Sequence, residues 1–468
     1  MDSLTTMDNI DKCIYNNFNL TRKNARYLCN APFCAMYFYI GGQVSPCCKS
    51  FGLHETYQGN SIEEIWTGNV FNAYRKQIKS RLLPDACYFC RNRLKNKEFH
   101  QVTIRQYDDF KIRLLGKKNI QSIQVAFNNT CNLRCVMCNE IYSTQFKKEG
   151  TCLNRKVYDK RFIEDLNKYI PKLKEFICLG GEPFLIEEYY EIWNQIIKEN
   201  PKCEISVITN GTILNDRIKN LIDSGNFKIN ISFETINKET YESIRRNANF
   251  GNVMNNMEYF GDKMKSQNKI LQISACALKQ NKYEIPDLVR FCNEKSYHLT
   301  LLSVYRAINV AMWNLTSEEL TELKQYYKSQ KFHTYNDTSK SNLNNYNDFV
   351  SNMDIWIADA KRKENFKEIF DLTTTEVPGL KKLIHENIGK EIFSQFGDDK
   401  NYQEIRDMLL CKFADILKSL PDYFESNHFY RLLNYVSPYI MVEHLAYCNT
   451  NTTLEILEEL FYYCGFSH

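Results

Sequence analysis

The chain has 468 residues, too many for one ordinary hydrophobic core, so two or three domains are expected. At 43% hydrophobic and 25% charged residues it has the composition of a globular protein, and a net charge of +4 over that length gives no reason to invoke nucleic acid or anionic lipid. No window offers the ~20 uncharged apolar residues of a membrane span, and Met1 to Asp11 lacks the apolar core of a secretory signal. The anomaly is the 18 cysteines. A cytoplasmic location is expected, where thiols stay reduced and are either scattered through cores or gathered on metal. Spacing decides between these.

After an N-terminal segment, residues 1–28, residues 29–94 read as a compact cysteine-rich module. Cys34 begins an alternating run to Ile40, followed by Gly41-Gly42 and then Val44-Ser-Pro-Cys47-Cys48, the pattern of a hairpin with a Gly-Gly turn. Ser61-Ile-Glu-Glu64 is a capping box that opens a helix expected to reach about Ser80. Cys87-x2-Cys90 follows Pro84. Cys34, Cys47, Cys87 and Cys90 therefore come from a hairpin and a knuckle that bracket one helix, and four thiolates close either an iron–sulfur cluster or a zinc site. Cys48 is an alternative to Cys47, and Cys29 a possible extra ligand. Residues 95–118 are basic and polar and read as a linker.

From Gln121, strand and helix patterns alternate, which predicts α/β architecture with a parallel sheet. Strands are expected at Ser122–Phe127, Phe176–Leu179, Glu204–Thr209, Lys228–Phe233, Leu271–Ala277 and Thr300–Val304, with helices between them. Directly after the first strand comes Cys131-Asn-Leu-Arg-Cys135-Val-Met-Cys138. Thiolates are soft ligands suited to iron–sulfur clusters. Three of them on a cubane leave one iron without a protein ligand. Zinc would need a fourth Cys or His nearby, and the next ones are Cys152 and His298.

The C-x3-C-x2-C loop at a strand end resembles that of the radical S-adenosylmethionine (radical SAM) enzymes. The resemblance implies a partial (β/α)6 radical SAM barrel over residues 119–305, a 4Fe-4S cluster on Cys131, Cys135 and Cys138, and S-adenosylmethionine chelated to the free iron. Reductive cleavage would then yield a 5′-deoxyadenosyl radical that abstracts a substrate hydrogen. Later strand ends carry further similarities. Gly180-Gly181-Glu182 resembles the GGE motif that binds the amino group of the cofactor. Thr209-Asn210-Gly211 looks like the TNG step, with Asn210 near the cofactor. Ser232-Phe233-Glu234 resembles a serine-x-aspartate step that reaches the ribose, with Glu in place of Asp. Arg245 matches an arginine that pairs with the cofactor carboxylate, with Arg246 as its rival. Asn281 falls where the adenosine is often met.

The module at 29–94 looks like the twitch or SPASM auxiliary-cluster modules of the same enzymes, through Gly42-x4-Cys47, Ile65-Trp66 and Cys87-x2-Cys90. It precedes the barrel here, whereas those modules usually follow it. The resemblance implies one auxiliary 4Fe-4S cluster on four cysteines that relays electrons, and an external donor such as flavodoxin or ferredoxin. By family analogy the substrate is a ribosomal peptide to be crosslinked, epimerised or oxidised. The alternatives are a small metabolite (sugar, amino acid or nucleotide) and, from another class, a non-catalytic zinc-binding interaction protein. Neither nucleic acid nor membrane is an expected partner.

Residues 306–468 are expected to form a helical C-terminal domain. Thr316-x-x-Glu319 caps a helix to about Ser329, and Asp337 to Asp348, rich in Asn and Ser, reads as a surface loop. Helical patterns resume near Asn352–Phe370, Leu380–Phe396, Tyr402–Ser419, Tyr423–Cys448 and Leu454–Cys464. Cys411, Cys448 and Cys464 have no metal-like spacing.

Overall fold

The computed structural model describes residues 12–22, 26–50, 55–95, 99, 102–112, 119–139, 142–146, 157–304, 307 and 309–369. Its strands are β1 (Ala35–Phe38), β2 (Gln43–Ser45), β3 (Glu55–Thr56), β4 (Ser122–Ala126), β5 (Arg134–Cys135), β6 (Glu175–Leu179), β7 (Glu204–Thr209), β8 (Phe227–Ser232), β9 (Arg245–Arg246), β10 (Gln272–Ala277) and β11 (His298–Ser303). Its helices are α1 (Lys12–Leu20), α2 (Ala31–Cys34), α3 (Ile62–Thr67), α4 (Asn69–Lys79), α5 (Tyr88–Lys95), α6 (Lys160–Asn167), α7 (Glu187–Glu199), α8 (Asp216–Ser224), α9 (Lys238–Ile244), α10 (Phe250–Ser266), α11 (Ile285–Lys295), α12 (Ser317–Ser329) and α13 (Asp337–Ile369). All six strands expected after Gln121 are present within one or two residues. The α/β class with a mostly parallel sheet follows from that alternation.

Two units can be distinguished. The first holds the described residues up to Ser232 together with Arg245–Gln272. Its strands run in the order β3-β2-β1-β4-β6-β7-β8. β1, β4, β6, β7 and β8 are parallel, and β2 and β3 extend the edge as antiparallel ribbons. The hairpin read as part of a separate cysteine module thus lies in the same sheet, with Ala35 opposite Ser122 and Phe38 opposite Val125.

Strand alternation explains the helix-side core. Phe38, Phe127 and Phe162 are buried, and Phe162 on α6 lies 5.1 Å from Phe38, 5.5 Å from Phe127, 5.0 Å from Tyr57 and 4.7 Å from Tyr158. Such edge and tilted ring contacts add to the large area these residues bury. The Asp159 carboxylate starts α6 by accepting from the Phe162 N–H at 3.3 Å, so one short segment both caps the helix and fixes the ring.

Two expectations in this unit are corrected. The helix opening at Ser61 has its capping box, but it ends at Thr67, and a second helix begins at Asn69 after Gly68. Within the stretch read as a linker, the described residues 102–112 are packed rather than open. Val102, Ile104, Tyr107 and Phe110 share one buried cluster with Cys29, Cys34, Cys47 and Cys90.

The second unit holds Phe233–Ile244 and the described residues from Ile273 on, including neighbouring strands β10 and β11. The Thr316 capping box and α12 are as expected. The Asn- and Ser-rich stretch from Asp337 is not a surface loop but the start of α13. Tertiary contacts override its weak helix propensity. Asn342 is buried, donates to the carbonyl of Tyr297 (2.9 Å) and to Asn293 Oδ1 (3.0 Å), and accepts from the Leu299 N–H (2.8 Å). The helices expected beyond residue 370, with Cys411, Cys448 and Cys464, lie outside the described residues. Among the described residues no helix is long and apolar enough to cross a membrane.

Phe162→Ala removes the ring shared by β1, β4 and α6 and is expected to cost about 3–5 kcal/mol. Lys160→Ala, on the exposed start of the same helix, should stay within about 0.5 kcal/mol. Denaturant titrations of the two variants check the contrast.

Candidate metal and cofactor sites

The residues that follow β4 form a loop held largely by its own backbone. Thr144 Oγ1 donates to the Cys131 carbonyl (3.0 Å) and accepts from its N–H (3.3 Å), and Ser143 Oγ donates to the Leu133 carbonyl (2.7 Å). Cys135 lies in β5, paired with Arg245 in β9, and the Arg245 guanidinium reaches its sulfur at 3.8 Å. The Cys138 N–H closes a turn on the Cys135 carbonyl at 3.0 Å. Burial pushes the Cys138 thiol up to about 12, reinforced by Cys135 and Cys131. Burial also raises Cys131. Cys131 and Cys138 thus resist ionisation alone and suit a cation that would hold them as thiolates.

The end of β6 packs on this loop through backbone alone. Gly180 has φ +108°, and its neighbour Gly181 donates its N–H to the Asn128 carbonyl at 3.1 Å. A Cβ on Gly181 would stand 2.2 Å from the Thr130 carbonyl oxygen, so only glycine fits. Glu182 is fully buried. Its carboxylate accepts from the Asn210 N–H (2.7 Å), the Thr209 hydroxyl (2.7 Å) and the Phe184 N–H (3.1 Å). Both oxygens are therefore committed to protein. The carboxylate ties the end of β6 to the end of β7.

Asn210, nearly buried, donates to Asn132 Oδ1 at 3.0 Å and more weakly to Cys131 Sγ at 3.9 Å, while its Oδ1 accepts from the Thr212 N–H at 2.9 Å. Thr209 stands opposite Ile231 in the sheet, which puts Ser232 beside Asn210 at the same strand edge. Arg245 is buried against Cys135 and Arg246 is exposed. In the second unit, Glu234 and Asn281 are both buried. Asn281 donates to the carbonyls of Glu234 and Cys276, both at 3.0 Å, and accepts from the Leu278 N–H at 2.8 Å. Its amide thereby ties the end of β10 to Glu234.

A second cluster of thiols surrounds a small cavity lined by Cys29, Cys47, Cys87 and Cys90 together with Lys49, Leu83 and Tyr107. Cys29 lines this cavity, whereas the expected Cys34 is buried beside it and does not. Pro32 starts the short helix α2, which turns the Cys34 thiol onto the Asn30 carbonyl at 3.2 Å and leads straight into β1. Cys48 is half-buried and does not line the cavity. Burial and the nearby Cys90 raise the Cys29 thiol to about 12, and Cys47 is raised by burial and then by Cys48, Cys87, Cys90 and Cys29. Among the described residues no three Cys, His, Asp or Glu side chains converge on a point as one ion would require. The four thiols instead ring a space, and in a multi-iron core each would take a different iron.

A family model described as the radical SAM superfamily matches residues 125–292, and one described as an iron-sulfur cluster-binding domain (SPASM) matches residues 29–91. The chain carries a radical SAM domain. Its SPASM domain lies ahead of it rather than behind. These domains imply a 4Fe-4S cluster, S-adenosylmethionine and auxiliary iron–sulfur binding, and both sets of thiols fit that chemistry.

The chain is 29% identical over 180 residues to the probable GTP 3′,8-cyclase of Methanocaldococcus jannaschii, covering 38% of this chain and 56% of the relative. It is 26% identical over 193 residues to the GTP 3′,8-cyclase of Clostridium perfringens, covering 40% and 56%. The chain thus spans little more than half the length of these curated relatives. Among solved structures, native anSMEcpe with bound AdoMet superposes with a TM-score of 0.35 at 20% identity, covering 44% of this chain and 59% of that one. Streptococcus suis SuiB bound to S-adenosylmethionine gives 0.34 at 15% identity, covering 57% and 62%.

Burial holds the Glu182 carboxyl at about 7 against an ordinary 4.5, despite its three donors and Arg245, which pull it down. The folded state keeps a proton that the unfolded chain releases above pH 4.5, so stability from this group is full below 4.5 and declines as the pH rises to about 7. The total is about 3 kcal/mol. Glu182→Gln cannot titrate, and its amide nitrogen leaves the Phe184 N–H unmatched at a cost of about 1–3 kcal/mol. In urea titrations of the metal-free protein the variant should be the weaker at pH 5, with the gap to the parent narrowing by pH 7.5. A constant gap would contradict the account.

Proposed function

We propose that this chain is a radical SAM oxidoreductase or maturase that cleaves S-adenosylmethionine at a 4Fe-4S cluster on Cys131, Cys135 and Cys138. The observation that supports this is the loop itself: three desolvated thiols on one short turn, with Gly181, Asn210, Ser232 and Arg245 at the strand ends beside it. When bound, the cluster and S-adenosylmethionine supply a 5′-deoxyadenosyl radical able to take hydrogen from a substrate. Arg245 carries positive charge against Cys135 and suits a carboxylate ligand. Gly181 offers backbone without a Cβ in the way, and Asn210 and Ser232 offer hydrogen-bonding groups at the rim. Glu182 acts behind them as a positioning residue. Glu234 and Asn281, joined through the Glu234 carbonyl, are further positions for the cofactor in this reading.

The second ligand set in this reading is Cys29, Cys47, Cys87 and Cys90, with all four positions of an auxiliary cluster taken by protein. Such a cluster suits electron relay, fed by a donor such as flavodoxin or ferredoxin. The first substrate reading remains a ribosomal peptide, which rests on the resemblance of the N-terminal module. The second is a small metabolite of the nucleotide kind, favoured by relatives named as GTP 3′,8-cyclases.

Anaerobically reconstituted protein should bind about eight irons, two cubanes of four, and release 5′-deoxyadenosine after reduction. Changing Cys131, Cys135 and Cys138 together to Ala should abolish that release while about four irons stay bound. Colourless protein holding stoichiometric zinc would support the interaction-protein alternative. Cys29→Ser should lose the auxiliary iron, whereas Cys34→Ser should keep it; the reverse result restores Cys34 as a ligand. GTP that accelerates 5′-deoxyadenosine release and is itself consumed would decide for the small-metabolite reading.

A further inference from the structure

Asn132 inside the cysteine loop and Thr212 beyond the end of β7 close a ring of hydrogen bonds with Asn210. Asn132 Nδ2 donates to Thr212 Oγ1 at 2.9 Å, Thr212 Oγ1 donates to Asn210 Oδ1 at 2.6 Å, and Asn210 Nδ2 donates back to Asn132 Oδ1 at 3.0 Å. The sense of the ring is fixed by the backbone, because the Thr212 N–H also meets Asn210 Oδ1, at 2.9 Å. A backbone N–H can only donate, so the amide atom it faces is the oxygen, as in an Asx-turn. The other end of that amide is then its NH2 group. One of its hydrogens goes to Asn132, and the second is left for Cys131 Sγ, 3.9 Å away. Asn210 is nearly buried, so water competes little for that hydrogen.

We propose that Thr212 is a positioning residue for the cluster on the cysteine loop: with Asn132 completing the ring, it holds the Asn210 amide with an N–H towards the Cys131 sulfur, and that hydrogen bond makes the cluster easier to reduce. The inference rests on the reading that Cys131, Cys135 and Cys138 carry the 4Fe-4S cluster. Hydrogen bonds to the ligand sulfurs are among the means by which a protein moves such a potential. An added electron makes the sulfur a stronger acceptor, so a donor aimed at it stabilises the reduced form more than the oxidised one. An amide free to turn would offer the sulfur its oxygen as readily as its nitrogen, and the gain would be lost. The Thr212 hydroxyl opposes that turn twice, by donating to Asn210 and by holding Asn132 in place to accept from it.

The test uses the full chain, reconstituted anaerobically, and measures iron content together with an electron paramagnetic resonance redox titration of the signal that disappears when Cys131, Cys135 and Cys138 are changed to Ala. Asn210→Ala should keep its iron and raise the ratio of oxidised to reduced cluster at a given potential about tenfold, a midpoint about 59 mV more negative for one electron. Thr212→Val, which leaves the backbone N–H in place, should shift the ratio the same way by about threefold, about 28 mV. Thr212→Ser keeps the hydroxyl and should titrate with the parent. Once Asn210 is Ala, Thr212→Val should move the midpoint no further, because Thr212 acts through the amide. An unchanged midpoint in Asn210→Ala, or a Thr212→Val shift that persists without the amide, overturns the inference. Loss of iron from either single variant also overturns it, since the ring would then be a scaffold for the loop. A parent whose iron and signal are the same with and without the three cysteines overturns the ligand reading itself.

Discussion

The contact on which the site depends is made by backbone atoms: the Gly180-Gly181 turn lying against Asn128 and Thr130 of the cysteine loop. A side chain at Gly181 would enter the Thr130 carbonyl. The neighbouring Glu182 N–H donates to that same Thr130 carbonyl at 2.8 Å, while its carboxylate reaches across to Thr209 and Asn210. Three strand ends, those of β4, β6 and β7, are thereby tied to one another through protein hydrogen bonds. The buried acid that joins them is costly to desolvate and therefore needs all three of its donors.

The N-terminal thiols obey a different logic. They come from α2's approach, the β2 turn and the start of α5, and they are brought together by a shared hydrophobic cluster that includes the supposed linker. Tyr107 belongs to both that cluster and the cavity wall, and its hydroxyl accepts from Gln124 of β4 at 3.2 Å. The cavity is thus built onto the sheet that carries the other cysteines.

What could be read from the sequence was whatever is encoded locally. The six strands after Gln121 follow from apolar runs between turn residues, the Ser61 and Thr316 caps from a four-residue signature, and Cys131, Cys135 and Cys138 from their spacing. What could not be read depends on partners distant in the chain. Asn342 and Ser339 look like loop residues until α13 is seen to bury them against β11 and its neighbours. Which thiols line the N-terminal cavity depends on α2, which turns Cys34 onto the Asn30 carbonyl. The partners that Glu182 and Asn281 meet likewise come from residues distant in the chain.

One consequence of β1 lying parallel to β4 concerns the order of synthesis. Chains emerge from the ribosome N-terminus first. Cys29, Cys34 and Cys47 are made well before Ser122–Ala126, yet the strand between them has its parallel neighbour only there. Until β4 has appeared, the nascent front end therefore lacks the parallel neighbour of β1.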